Sequence, residues 1–216
     1  PTRRSSDLEQ GVANHLAMEK CVLLTGSNAS GKSTFLKTMG ISVLFAQTIH
    51  TVPAGDYSAG FFSLYSSMAL RDSILNGESY YIVEIKSLKR IMDAVKNGEN
   101  VFCLIDEVLR GTNTIERIAA STEILMSLAK QGALCIAATH DRELTVSLEN
   151  DYENYHFEEQ IKRDGEAVAI TFDYLIKKGA ATTRNAILLL ESMGYDREMI
   201  QKTKTRAERM SAGQKN

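Results

Sequence analysis

Three short stretches of this chain carry residue types that handle phosphate, water and a hard cation. The first is Gly26-Ser27-Asn28-Ala29-Ser30-Gly31-Lys32-Ser33, which fits G-x-x-x-x-G-K-[ST] with no mismatch. An apolar run, Cys21-Val22-Leu23-Leu24-Thr25, precedes it, and a helical pattern from about Lys32 to Ile49 follows. Glycines in such a loop let backbone N–H groups turn inward around phosphate oxygens, and the helix start adds the positive end of its dipole. The binding set runs from Gly26 to Thr34: Lys32 would neutralise the β- and γ-phosphates of a nucleotide, and the Ser33 hydroxyl would ligate Mg2+. A glycine turn that merely caps a helix is the alternative; a full match placed between a strand and a helix argues against it.

The second stretch is Val101-Phe102-Cys103-Leu104-Ile105-Asp106-Glu107, an apolar run that ends in two carboxylates. A buried parallel strand delivers such acids at its C-terminal edge, where ligands of open α/β sheets bind. Asp106 would hold Mg2+ through water, and Glu107 would orient and deprotonate an attacking water. Successive side chains on a strand point to opposite faces, so the two need not share a task. The third stretch is Thr139-His140, directly after the apolar run Leu134 to Ala138. A histidine at that strand end can bond a γ-phosphate or the attacking water and so distinguish a triphosphate from a diphosphate. His15, His50 and His156 have no such position and read as structural or surface residues.

The elements that position these residues alternate between β-type runs and longer helical patterns, which argues for an α/β sheet with flanking helices. Strands are expected at Cys21–Thr25, Phe61–Tyr65, Val101–Ile105 and Leu134–Ala138, and helices at Lys32–Ile49, Glu78–Lys96, Thr114–Lys130 and Asp141–Leu148. Beyond His140 the pattern changes. Tyr152–Ile161 and Ala167–Tyr174 read as two strands joined by a hairpin turn at Arg163-Asp164-Gly165-Glu166. Two helices, Thr182–Met193 and Asp196–Met210, follow with Gly194 at their break, and the polar tail Ser211–Asn216 is expected to fray.

With 216 residues, 44% apolar and 24% charged, the composition is that of one sizeable soluble globular domain with appended helices. A net charge of −2 gives the chain as a whole no electrostatic footprint for nucleic acid. Cys21, Cys103 and Cys135 sit in apolar runs without CxxC spacing and read as buried thiols of a reducing cytosol, with no metal cluster. No apolar run reaches the roughly 18–20 residues that span a bilayer, so nothing in this segment indicates a membrane.

Four segments together resemble the ATPase domain of the MutS family. They are Thr25 to Thr34, Gly77-Glu78-Ser79-Tyr80-Tyr81-Ile82-Val83-Glu84, Asp106-Glu107-Val108-Leu109-Arg110-Gly111-Thr112-Asn113-Thr114, and Ala138-Thr139-His140. The similarity runs from about Val12 to the end, and the Asp-Glu-x-x-Arg-Gly-Thr run is its most family-specific piece. The resemblance implies an ABC-class P-loop ATPase fold that uses ATP and Mg2+. It implies a homodimer in which each ATP lies between one subunit's phosphate loop and the other's signature segment. Ser79 would then approach the nucleotide in trans, and Arg110 to Thr114 would lie at the dimer interface. For Ser79 a plain helix N-cap is the alternative. Asn14 matches an asparagine that precedes the nucleotide site in the family.

The sequence also departs from the family. Ser27, Ala29 and Ser30 stand where the family's loop has Pro, Met and Gly, and Tyr80-Tyr81 replaces Thr-Phe. These changes resemble MutS-related proteins that lack a mismatch-reading domain. The implied function is therefore the cytoplasmic ATP-hydrolysing motor of a DNA mismatch repair or DNA-transaction protein, meeting DNA through parts outside this chain. The alternative is a MutS-related ATPase acting without mismatch recognition, membrane-tethered through missing N-terminal segments. An ABC transporter subunit would show Ser-Gly-Gly-Gln, whereas Gly77-Glu78-Ser79-Tyr80 occupies the signature position here. Residues 1–8 resemble the translation of a sequencing-library adapter and are expected to be a non-native scar on an N-terminally truncated domain. The ATPase domain is expected over 9–178 and a short C-terminal helical dimerisation appendage over 179–216.

Overall fold

In a computed structural model of the chain the described residues are 11–27, 30–68, 80–109, 113–164, 167–181 and 186–213. They form two compact units, one of residues 13–157 with 176–181, the other of residues 158–175 with the C-terminal helices.

The first unit is built on five parallel strands and a short antiparallel edge. These are β1 (Cys21–Thr25), β2 (Ser63–Ser67), β3 (Val101–Asp106), β4 (Leu134–Ala138), β5 (Tyr152–His156) and β8 (Lys177–Lys178), in the order β2-β3-β4-β1-β5-β8. Only β8 runs antiparallel, against β5. Strands β1, β3 and β4 read as unbroken apolar runs because helices cover both faces of the sheet. Alternation then sorts their side chains. Val22, Leu24, Phe102, Leu104 and Ile136 pack with Phe35, Leu36 and Val43 of α1 (Lys32–Thr48). Leu23, Cys103, Ile105 and Cys135 face the other way. They pack with Leu88 and Ile91 of α2 (Tyr80–Lys96), Leu125 and Leu128 of α3 (Thr114–Lys130) and Leu144 of α4 (Arg142–Ser147). Each fully buried Leu or Ile contributes about 1.5–3 kcal/mol, so the strand ends that carry the site are anchored far more firmly than any loop contact could achieve. Gly40 lets α1 close on β3, since a Cβ there would stand 2.7 Å from Leu104 Cδ1.

The second unit holds a hairpin, β6 (Glu159–Asp164) and β7 (Ala167–Phe172), paired in register from Glu159↔Phe172 to Asp164↔Ala167. It also holds α5 (Ala186–Ser192) and α6 (Arg197–Gly213), separated at Gly194 with φ 79°. Lys204 Nζ reaches Glu191 Oε2 across this helix pair at 3.2 Å.

The sequence expectations need four corrections. The strand expected over Tyr152–Ile161 is two strands in two different sheets, broken where the buried Phe157 turns into the α1-side core. The strand expected at Phe61–Tyr65 begins at Ser63. Phe61 is exposed, and Phe62 N–H donates to Gln47 Oε1 at 2.7 Å instead of joining a ladder. The two-residue β8 was not expected. The tail expected to fray from Ser211 continues α6 to Gly213. No described helix is long and apolar enough to cross a membrane.

Candidate functional site

The loop after β1 leaves the sheet at Gly26, whose φ of 139° is a conformation that L side chains avoid. A Cβ there would lie 2.7 Å from Phe157 O and 3.0 Å from Ser30 Oγ, so space and backbone both require glycine. Gly31, at φ 106°, caps α1, and the first helical bond is Phe35 N–H to Gly31 O at 2.9 Å. First-turn amides of a helix have no carbonyl of their own helix to bond. With no acidic residue in the first turn of α1, those amides present an unopposed positive end.

Lys32 is the first residue of that turn and is 5% exposed. Its ammonium donates to the carbonyls of Gly26 and Ser27, each at 2.7 Å, and so closes the loop on itself. Ser30 Oγ is buried with no hydrogen-bond partner among the described residues. Buried polar atoms are nearly always bonded, so an orphan beside a glycine cradle fits a site that receives oxygen ligands. Ser27 is partly buried, and Thr34 is exposed on α1. Asn28 and Ala29 lie outside the described residues, as do Ser79 and 110–112.

Asp106 ends β3. Although β4 lies between β3 and β1, the Ser33 hydroxyl donates to Asp106 Oδ2 at 2.6 Å. The two residues read from sequence as Mg2+ ligands, far apart in the chain, therefore meet. Their oxygens suit a hard cation. Among the described residues no group of three or more His, Cys, Asp or Glu side chains is gathered to hold a metal, so a cation here would draw its remaining ligands from phosphate and water.

The intervening strand also explains where His140 falls. β4 emerges between the loop and Asp106, tied by Thr139 N–H to Leu24 O and by Glu107 N–H to Ala138 O, both at 2.9 Å. His140, just past it, is exposed, with Nδ1 3.5 Å from Glu107 Oε1 and Nε2 3.8 Å from Asp141 Oδ1. Glu107, Val108, Arg117, Thr139, His140 and Asp141 line a cavity of about 250 Å³.

Three residues of this site were given no role of their own from sequence. Arg117 of α3 binds Asp141 in a two-point ion pair, Nη2 to Oδ1 at 2.7 Å and Nε to Oδ2 at 3.1 Å, with both side chains largely buried. Forked pairs of this kind fix orientation as well as charge. Glu84 of α2, 1% exposed, accepts from Leu109 N–H at 2.6 Å. The signal that could have found Glu84 is an acid in the apolar stripe of α2. Glu107 and Leu109 both take left-handed backbone conformations, φ 62° and 58°. Such conformations cost non-glycine residues about 1–3 kcal/mol each and collect at functional sites.

Asn14, read from sequence as flanking the site, accepts from Ile176 N–H at 2.7 Å and so ties the segment before β1 to the one leading into β8. The three cysteines form a ladder across neighbouring strands, Cys103 opposite Cys135 and Cys21 opposite Tyr152, all of them buried. Burial, reinforced by the neighbouring Cys135, pushes the Cys21 thiol up to about 12. A hydrogen bond with Cys103, together with burial, raises Cys135, and burial raises Tyr152. The thiols of Cys21 and Cys135 thus stay protonated and inert.

The sequence matches the family described as MutS domain V over residues 22–211. The chain belongs to that family. Relatives include the DNA mismatch repair protein MutS of Thermus aquaticus, 29% identical over 203 residues that cover 93% of this chain and 24% of that protein. The protein of the same name from Natronomonas pharaonis is 33% identical over 190 residues, 85% of this chain and 21% of that protein. That from Thermotoga petrophila is 36% identical over 138 residues, 62% of this chain and 17% of that protein. The chain thus spans about a quarter or less of the length of these relatives. The mostly parallel sheet with helices on both faces is the fold expected of a MutS domain V.

Proposed function

We propose that this chain is an ATP-binding and ATP-hydrolysing motor domain of a MutS-like protein. The observation that carries the reading is the 2.6 Å bond between Ser33 Oγ and Asp106 Oδ2, which joins the phosphate loop to the carboxylate end of β3. Gly26 to Thr34 would hold the triphosphate, with the Lys32 ammonium turning from its loop carbonyls to phosphate oxygens. Ser33 and Asp106 would hold Mg2+, which when bound neutralises developing charge on the phosphates.

Glu107 takes a proton from water as the water oxygen bonds to the γ-phosphorus. The bond from that phosphorus to the β,γ-bridging oxygen breaks, leaving ADP and phosphate. His140, beside Glu107, reports whether the γ-phosphate is present. In the ABC-class arrangement that the sequence resembles, two copies face each other with Ser79 toward the partner's nucleotide. The names of the relatives support a role in DNA mismatch repair, with DNA met through parts of the protein beyond this chain.

The test is a titration with a fluorescent ATP analogue in the presence of Mg2+. Wild-type chain is expected to bind saturably. Lys32→Ala, which removes the ammonium bonded to the loop carbonyls of Gly26 and Ser27, is expected to lose about 2 kcal/mol or more of affinity, roughly 30-fold. Equal affinity in the two proteins would refute the assignment of the loop.

A further inference from the structure

We propose that Glu84 is a positioning residue for Glu107, holding the backbone in which Glu107 and Leu109 are left-handed and tying the base to helix α2. The inference rests on the reading of Glu107 as the base and deepens it.

The loop is fastened at each of its three residues, each time to a different element. Glu107 N–H donates to Ala138 O of β4 at 2.9 Å. The Ser121 hydroxyl of α3 donates to Val108 O at 3.4 Å. Leu109 N–H donates to Glu84 Oε1 of α2 at 2.6 Å, the shortest of the three. Backbone held in a sparsely populated region persists only where its surroundings over-determine it, and these three bonds are such surroundings. The one from α2 is the only bond of the three made by a carboxylate.

The placement of Glu84 makes the bond costly to lose. The side chain is 1% exposed, and Val108 and Leu109 are each 4% exposed. Removing the acceptor would leave the Leu109 N–H buried without it, while relaxation of Leu109 would release the backbone two residues from the Glu107 side chain. Helix α2 is itself fixed to the sheet through Leu88 and Ile91 and through the Ser87 hydroxyl on Ser66 O. Through that bond the anchored helix braces the backbone two residues from Glu107.

The experiment compares wild type, Glu84→Gln and Glu84→Leu in the full chain. ATP turnover, ATP affinity and hydrogen exchange at the Leu109 amide are measured for each. Glutamine retains an oxygen where Leu109 donates, and leucine does not. Glu84→Leu is expected to lower kcat about 10- to 100-fold, the scale of a misplaced catalytic group. Its ATP affinity should stay within about threefold of wild type, with faster exchange at Leu109. Glu84→Gln is expected to keep kcat within about threefold and to keep Leu109 protected.

A merely structural role would lower thermal stability and leave kcat per bound nucleotide unchanged, and that result overturns the proposal while the reading of Glu107 stands. Equal loss of kcat in both variants also overturns it, because the accepting oxygen survives in one of them. Should Glu84→Leu not fold, Glu84→Gln and the wild-type Leu109 amide still decide. Loss of kcat in Glu84→Gln, or Leu109 exchange as fast as in the loop 51–60, would end the proposal. A wild-type chain that turns over no ATP would take down the reading of Glu107 and the proposal with it.

Discussion

Substituting Asp141 by Asn removes one charge from the ion pair with Arg117 and leaves a guanidinium that is only 15% exposed facing a neutral amide. Neutralising one partner of a buried pair costs about 3–5 kcal/mol. Here the side chains keep some contact with water, and the Asn oxygen can still accept one of the two bonds, so the expected loss is about 2–3 kcal/mol. Asp141 makes no side-chain capping bond to α4, so loss of a cap does not enter. Arg117→Met removes the other charge and strands the carboxylate beside Glu107 and His140, with a loss of about 3 kcal/mol. In the double variant neither charge is stranded, and the combined loss should fall short of the sum by about 1.5–2 kcal/mol. The assay is urea unfolding followed by circular dichroism for the wild type, the two single variants and the double variant. Additivity within about 0.5 kcal/mol would show that the two groups do not act as a pair and would refute the reasoning.

Two further outcomes follow from the geometry. Gly26→Ala meets Phe157 O and a φ of 139°, so it should lose about 2 kcal/mol or more of stability in urea melts and weaken nucleotide binding; unchanged unfolding would contradict the cradle. The thiol of Cys21, pushed up to about 12 from 9.0 by burial, stays protonated where the unfolded thiol ionises. The unfolded state then binds fewer protons, so the stability due to this group is complete below pH 9 and declines as pH rises toward about 12. Between pH 8 and 10 the wild type should lose more stability than Cys21→Ala, and alkylating reagents should label the native thiols only at the rate of unfolding. Rapid labelling of folded protein would contradict the burial of the ladder.

The phosphate loop was legible in the sequence because its chemistry is local: the bounding strand Cys21–Thr25 and the start of α1 at Lys32 fall where the pattern puts them. The expected strand at Leu134–Ala138 and helix at Thr114–Lys130 are likewise present as read, the first marked by an unbroken apolar run and the second by a long helical pattern that stops near Gly132. What the sequence withheld was pairing across distance. Nothing in it orders β4 between β1 and β3, yet that order brings His140 beside Glu107. Arg117 with Asp141 and Glu84 with Leu109 are contacts between elements, invisible to any window along the chain. The break at Phe157 escaped for another reason. No Gly or Pro falls between Tyr152 and Ile161 to mark the break, and the local pattern does not report which sheet a strand joins.

The central claim, that this chain hydrolyses ATP with Glu107 as the base, is tested most directly by phosphate release from wild type and Glu107→Gln under saturating ATP and Mg2+. The substitution keeps the shape of the side chain and removes its ability to take a proton. Wild type is expected to turn over, and Glu107→Gln to bind ATP with similar affinity while losing about 100-fold or more in rate, the share of a general base. Hydrolysis by Glu107→Gln at the wild-type rate would contradict the account.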